Sequence, residues 1–146
     1  MTDTRPFPEA IAAERAVAGI ILLGLGGEPS VNPDDCLDPL VANVVRHGAH
    51  LPRPCPITVA TAIGDCSDRV LIELRALMVG DYAVSNLPAY AVLIATAAHR
   101  RRVIAATAHL TDAAFADKDL LGPLAQLISE VKRPDPTPHH SEERNQ

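Results

Sequence analysis

Apolar residues recur at spacings of three and four along most of the chain, the period of an amphipathic helix. The first such segment starts near Pro8 or Glu9, because proline suits the first helical turn and an acid favours the helix dipole there. Its apolar positions lie between Ile11 and Leu22, and the glycines within 24–27 end it. The pattern therefore predicts an N-terminal helix followed by a polar loop.

Two short helices are expected in the middle of the chain. Asp38 caps the first, which ends at Gly48. Three prolines within 52–56 favour an extended connection after it, since proline disfavours helix both at its own position and before it. Thr58 then caps a second short helix, which ends before Gly64.

A fourth helix starts at Ser67 or Asp68 as its cap and closes at Gly80. Its spacing of apolar residues predicts one buried face. That face consists of Val70, Leu71, Leu74, Leu77 and Met78.

The longest helix is predicted after a cap at Ser85 or Asn86, with Pro88 in its first turn, and runs to Leu110 or beyond. A helix of roughly 25 residues is about 37 Å long, more than a small core covers, so it should project or pair with another element. Its apolar stripe consists of Tyr90, Leu93, Ile94, Ala97, Val103 and Ile104.

A turn over 113–119 and a last helix, from Leu120 or Pro123 to Val131, complete the pattern. Two helices joined by a short loop form an antiparallel hairpin. The apolar residues of the last helix are Leu121, Leu124, Leu127, Ile128 and Val131.

The predicted fold is all-α: a compact multi-helix globular domain followed by a long C-terminal helical hairpin. Residues 1–7 are expected to be a flexible lead and 8–132 the helical domain, with the hairpin at about 86–131. The proline-rich polar residues 133–146, including His139 and His140, are expected to be a disordered tail.

Composition narrows the possible functions. The formal charge is -5 at pH 7, opposite to the basic excess of most domains that grip nucleic acid, so direct DNA binding is disfavoured. The longest apolar run is too short to span a membrane and no signal-peptide pattern opens the chain, so we expect a cytoplasmic protein.

Candidate chemistry is sparse. No glycine-rich segment ends in Gly-Lys-Ser or Gly-Lys-Thr, so no phosphate-binding loop is predicted. Cys36, Cys55 and Cys66 match no zinc spacing and are expected to be reduced thiols, while His47 and His50 are expected at the surface. We therefore expect no catalytic residue, cofactor or metal. A Cys-His pair in a small enzyme remains an alternative.

Residues 99–102, His-Arg-Arg-Arg, form the one concentrated basic cluster. Such a cluster is typical either of a patch that faces an acidic partner or of a solvated helix face with charge pairs. Four consecutive positions point in all directions around a helix, so they do not all face one partner.

Four segments resemble the N-terminal domain of DnaB-type replicative DNA helicases. Residues 13–23 (Ala-Glu-Arg-Ala-Val-Ala-Gly-Ile-Ile-Leu-Leu), preceded by Pro8, resemble its first helix. Residues 56–61 (Pro-Ile-Thr-Val-Ala-Thr) are similar to the entry to its third helix. Residues 85–91 (Ser-Asn-Leu-Pro-Ala-Tyr-Ala) and 100–104 (Arg-Arg-Arg-Val-Ile) resemble parts of its long helix. The similarity spans about 6–132, but the aromatic residues that the family has before its second helix are missing at 33–38.

In that family the domain binds no ATP and forms a collar in which hairpins of neighbouring subunits pair, and it contacts primase and loader proteins. The resemblance thus implies a stand-alone collar-like domain without a motor, with assembly or partner binding in DNA replication. Helicase, primase and a second copy of the chain are the implied partners. An alternative is a regulator that inserts into a helicase ring and inhibits its assembly. The expected interaction residues are Tyr90, Leu93, Ile94, Arg100, Arg101, Val103, Ile104, Leu124, Leu127 and Ile128.

Overall fold

The computed structural model of the protein describes residues 7–25, 30–80 and 82–133. In these ranges the regular structure is helical throughout and contains no strand, so the predicted all-α class is confirmed. The predicted lead and tail fall almost entirely outside the described residues, as do Gly26, Gly27 and the two tail histidines.

Six α-helices form in the described residues, together with a π-helix that continues the second one. The helices are α1 (Pro8–Leu22), α2 (Pro39–Asn43), the π-helix (Val44–Gly48), α3 (Pro56–Ile63), α4 (Asp68–Leu77), α5 (Leu87–Phe115) and α6 (Leu121–Lys132). Short 3₁₀ turns lie at Pro33–Asp35 and Val84–Asn86. The chain divides into two compact units, 1–98 and 99–146, with the division inside α5.

Local signals set most helix ends. The Asp38 side chain accepts a hydrogen bond from the Leu40 amide at 2.9 Å, and the Ser67 hydroxyl accepts one from Val70 at 3.4 Å, as their cap positions predict. Gly64 ends α3 with a φ of 86°, a left-handed conformation that glycine adopts without strain.

The predicted cap at Thr58 is wrong by one helical turn. The chain enters α3 at Pro56, and Cys55 holds the cap position. Thr58 lies in the first turn, where its hydroxyl accepts a hydrogen bond from the Cys55 amide at 2.9 Å. Proline is favoured at the first helical position because the N–H that it lacks would have no partner there. The helix therefore starts at Pro56, before Thr58.

The core of the first unit is built around α1. The side chains of Ala13, Val17 and Ile21 on this helix pack against apolar residues of the helices that follow. Val41, Val44, Val59, Leu74 and Ile94 complete this core. The predicted inner face of α4 is confirmed in its centre, because Leu74 and Leu77 are buried.

One carboxylate lies inside this core. Glu14 is only 2% exposed, and its two carboxylate oxygens accept hydrogen bonds from the amides of Leu37 (2.6 Å) and Asp38 (3.1 Å). These amides open the segment that leads into α2. Glu14 therefore ties α1 to the start of α2, and the hydrogen bonds offset part of the desolvation of a buried charge.

In the second unit, the C-terminal part of α5 and α6 form an antiparallel pair. Arg102 lies beside Glu130, and Leu110 lines the same groove as Leu124, so the two helices run in opposite directions from the turn at 116–120. The predicted turn over 113–119 is wrong at its start, because α5 continues through Phe115. Alanines are strong helix formers, and the 113–116 segment contains three of them.

Candidate interaction surface

The face that α5 turns toward α6 combines alanines with one leucine. Ala106 and Ala113 are buried and Leu110 between them is half-buried, at spacings of four and three residues. Alanines at these positions let a second helix approach closely.

The opposing face of α6 is narrow and includes a charge. Its least exposed residues are Pro123, Leu127 and Glu130, again four and three residues apart. All of α6 is described, and none of its residues is fully buried. The helix is thus attached to α5 along a limited contact.

Four large apolar side chains of α6 remain outside this contact. They are Leu121 (73% exposed), Leu124 (42%), Ile128 (45%) and Val131 (59%), and we refer to them as the α6 stripe. Their spacing of three, four and three residues is that of the a and d positions of a coiled-coil seam. At 100° per residue the stripe is centred roughly 110° around the helix from the face that contacts α5.

The stripe continues into a groove at the turn of the hairpin. A groove of about 510 Å³ is lined by Leu110, Thr111, Ala114, Phe115, Leu120 and Leu124. The ring of Phe115 at its rim is 89% exposed. An aromatic side chain this exposed beside an apolar groove is typical of a protein-binding surface.

An ion pair joins the two helices at the other end of the hairpin. Glu130 Oε2 lies 3.5 Å from Arg102 Nε and 3.7 Å from Arg133 Nη1. The Glu130 side chain is 14% exposed and that of Arg102 33%. The Arg102 Nε and Glu130 Oε2 atoms are shielded from solvent without an aligned hydrogen bond, so the contact is electrostatic.

The basic cluster at 99–102 does not form one patch. Arg100 is exposed, whereas Arg101 and Arg102 are half-buried. Arg102 faces α6 through its ion pair with Glu130. The cluster is therefore divided between the interior of the hairpin and its surface, as the helical geometry predicts.

The residues predicted to interact are also divided between the units. Tyr90 and Ile94 belong to the core of the first unit, where Ile94 is 1% exposed and unavailable to a partner. In the second unit Ile104 is 49% exposed, and Leu124 and Ile128 lie in the α6 stripe. Leu93 is exposed on the first unit, and Val103 and Leu127 are half-buried in the second.

Sequence reasoning missed Phe115, Leu121, Val131 and Glu130 as parts of this surface. The a and d spacing of 121–131 was readable from the sequence and would have added Leu121 and Val131. Phe115 was assigned to a turn. Glu130 had no signal, since its partner is 28 positions away.

Outside the hairpin, one thiol has a pKa shifted by its hydrogen bonds. The side-chain hydrogen bond with Thr58 lowers the pKa of Cys55, with backbone hydrogen bonds adding to the effect. No disulfide joins Cys36, Cys55 and Cys66. Within the described ranges, no group of three or more His, Cys, Asp or Glu side chains is arranged to hold a metal, and no helix is long and apolar enough to cross a membrane.

Comparison of the chain with protein-family models, with curated proteins and with solved structures found no match. The geometry of the hairpin and the sequence resemblance are therefore the two sources for a functional hypothesis.

Proposed function

We propose that the protein is a non-catalytic assembly module whose copies associate through the outer surface of the α5–α6 hairpin. The observation that carries this proposal is the α6 stripe, four large apolar side chains at coiled-coil spacing that α5 leaves between 42% and 73% exposed. Covering such a seam with a second helix removes apolar area from water, which is the main driving force of association.

A second copy of the chain is the occupant that the surface fits best. The positions that flank the stripe on its inner edge are Leu120 and Leu127, both uncharged. Two identical stripes therefore meet without repulsion between like charges along that edge. In a two-fold arrangement Phe115 of each copy would pack into the groove of the other copy. Both copies would then use the same surface patch.

The replication context rests on the resemblance of four segments to the DnaB-type N-terminal domain. Under this proposal the module acts in the cytoplasm as part of a helicase-type collar, and it contacts a replicative helicase or primase. A helical module with an exposed seam suits that role, because helicase collars are built by pairing of helical hairpins.

Light scattering on the purified protein tests the assembly. We expect the average mass to rise above that of one chain as the concentration reaches tens of micromolar. A strict monomer over that range would refute self-association. A pull-down with purified helicase and primase tests the replication role separately, and retention of neither would refute that part alone.

A further inference from the structure

We infer that the assembly is a four-helix bundle in which the α6 stripe of each copy packs on α5 of the other copy, with both hairpin turns at the same end. This inference rests on the proposed function, because it specifies how two hairpins associate. It is carried by the side of α5 next to the stripe, whose side chains are uncharged and mostly smaller than those of the stripe.

One group of α5 side chains lies on the same side of the hairpin as the α6 stripe. At 100° per residue, the group is found roughly 40–100° around α5 from Ala106, which faces α6. Its members Leu110 and Ala114 line the same groove as Leu124 of the stripe, so the group and the stripe share one side. The group consists of Val103, Thr107, Leu110 and Ala114, and we refer to it as the α5 face.

The opposite side of the hairpin is polar. By the same angular count, the residues there include Arg101, Asp112, Gln126 and Arg133. On the side of the stripe, the two helices carry charge only at the open end of the hairpin, at Arg100 and Lys132. The hairpin as a whole is therefore amphipathic, and its apolar side includes both helices.

The hydroxyl groups on this side already have partners within the chain. The Thr107 hydroxyl donates a hydrogen bond to the Val103 carbonyl oxygen at 2.9 Å, and the neighbouring Thr111 hydroxyl donates one to the Thr107 carbonyl oxygen at 3.0 Å. Such bonds to the helix backbone leave the threonine methyl groups for packing. Covering the α5 face costs little, since a buried hydroxyl is unfavourable mainly when it is unpaired.

The two halves of the apolar side differ in the size of their side chains. The α6 stripe consists of leucine, isoleucine and valine, whereas the exposed positions of the α5 face are Thr107 and Ala114. Large side chains pack best onto small ones, because the two layers then interdigitate without voids. Each hairpin carries both halves, so a second copy supplies the complement of each.

Two two-fold arrangements place this side of one hairpin on that of another. With the axis along the helices, α6 of each copy packs on α5 of the other and both turns lie at one end. With the axis across the helices, α6 packs on α6 and α5 on α5, so the small side chains meet each other and leave voids. The first arrangement also brings Phe115 of each copy to the groove of the other, and it joins the inner edges of the two stripes at the bundle axis.

Disulfide cross-linking between copies distinguishes the two arrangements. Ile128 and Thr107 lie at similar heights, between the Arg102–Glu130 ion pair and the groove. In the inferred bundle a cysteine introduced by Ile128→Cys therefore faces one introduced by Thr107→Cys in the other copy. Each protein carries one such substitution, and only the Ile128→Cys protein carries a mass tag, so that mixed dimers are recognised after mild oxidation. The native cysteines replaced by serine in all variants are Cys36, Cys55 and Cys66.

Ala105→Cys is the matched control, since Ala105 is an exposed residue of the same helix on its polar side. We expect Ile128→Cys to form several-fold more mixed dimer with Thr107→Cys than with Ala105→Cys, because a disulfide requires close and aligned thiols. Leu124→Cys probes the other arrangement, in which the symmetric spacing of the stripe places it beside Ile128 of the second copy. Preferential coupling to Leu124→Cys, or equal coupling to Thr107→Cys and Ala105→Cys, would overturn the inference.

A second pair guards against a local effect of one substitution. Ala114→Cys and Leu121→Cys lie nearer the turn, and we expect them to couple between copies in the same way. Light scattering and circular dichroism of the mixtures before oxidation separate the inference from the proposed function. Folded but monomeric mixtures would refute self-association itself, whereas association in which neither pair couples would refute the arrangement alone.

Discussion

Removing the buried carboxylate of Glu14 tests the account of the first unit. Glu14→Ala deletes the acceptor for two amides, those of Leu37 and Asp38, at 2.6 and 3.1 Å. Hydrogen bonds to a charged group contribute about 1.5–3 kcal/mol each to the free energy of unfolding. Part of this loss is recovered in the variant, because no charge has to be desolvated when the protein folds. We expect a net loss of about 2–4 kcal/mol in the free energy of unfolding, with the start of α2 loosened first.

Glu14→Gln and Glu9→Ala make this test specific. The glutamine keeps the size of the side chain and one acceptor oxygen, but its amide group faces a backbone donor, so we expect about half the loss of the alanine variant. Glu9 is an exposed acid in the first turn of the same helix, and its removal affects only the helix dipole, at about 0.3–1 kcal/mol.

Urea unfolding followed by circular dichroism provides the free energies, with hydrogen exchange locating the loosened segment. The predicted order of destabilisation is Glu14→Ala, then Glu14→Gln, then Glu9→Ala. A loss below about 0.5 kcal/mol for Glu14→Ala, the range of ordinary surface substitutions, would refute the structural role assigned to the carboxylate.

Three further outcomes follow from the structure. Gly19→Ala should cost about 1–3 kcal/mol in urea unfolding, because its added Cβ would meet the Tyr82 ring and lie 2.5 Å from a backbone oxygen; an unchanged stability would contradict that packing. Asp38→Ala should lower the free energy of unfolding in urea by about 1 kcal/mol, because the cap of α2 is lost. An equal loss on replacing an exposed acid elsewhere with alanine would argue against capping. The lowered pKa of Cys55 increases its thiolate fraction at a given pH, so its alkylation should rise at lower pH than that of an ordinary thiol, and Thr58→Val should move the rise to higher pH; an unmoved profile would exclude the hydrogen bond as the cause.

Elements determined by local chemistry were predictable from the sequence. Asp38, Ser67 and Gly64 act within three residues of themselves, and each was found in its predicted place. The cap of α3 was misplaced because Thr58 and Pro56 both favour a helix start, and the proline decided it. Local rules do not rank two such signals when they compete.

Features that depend on distant residues were not predictable. Glu14 is buried because its partners lie 23 and 24 positions further along the chain, which no periodicity reveals. The π-helix at Val44–Gly48 also had no sequence signal, since the apolar spacing there fits an ordinary helix.

The candidate surface was predicted in part. Leu124 and Ile128 were among the expected interaction residues, and both are exposed on the last helix. Periodicity could not say which edge of the apolar face α5 covers. Two charges on different helices, Glu130 and Arg102, meet at that edge. The apolar stripe predicted on α5 likewise did not show which of its residues are covered. Ile94 is buried, while its neighbour Leu93 is 37% exposed.

Sedimentation equilibrium of the Leu124→Asp/Ile128→Asp variant against the wild type tests the central claim most directly. The matched control is Ile57→Asp/Ile72→Asp, which places the same two charges on isoleucines of α3 and α4 that are 61% and 65% exposed. We expect the wild type and the control to self-associate alike. The stripe variant should raise the dissociation constant about tenfold or more, since placing two unpaired charges in an apolar seam costs more than the roughly 1.4 kcal/mol of a tenfold change. Unchanged association of the stripe variant, or equal weakening by the control, would contradict assembly through the hairpin.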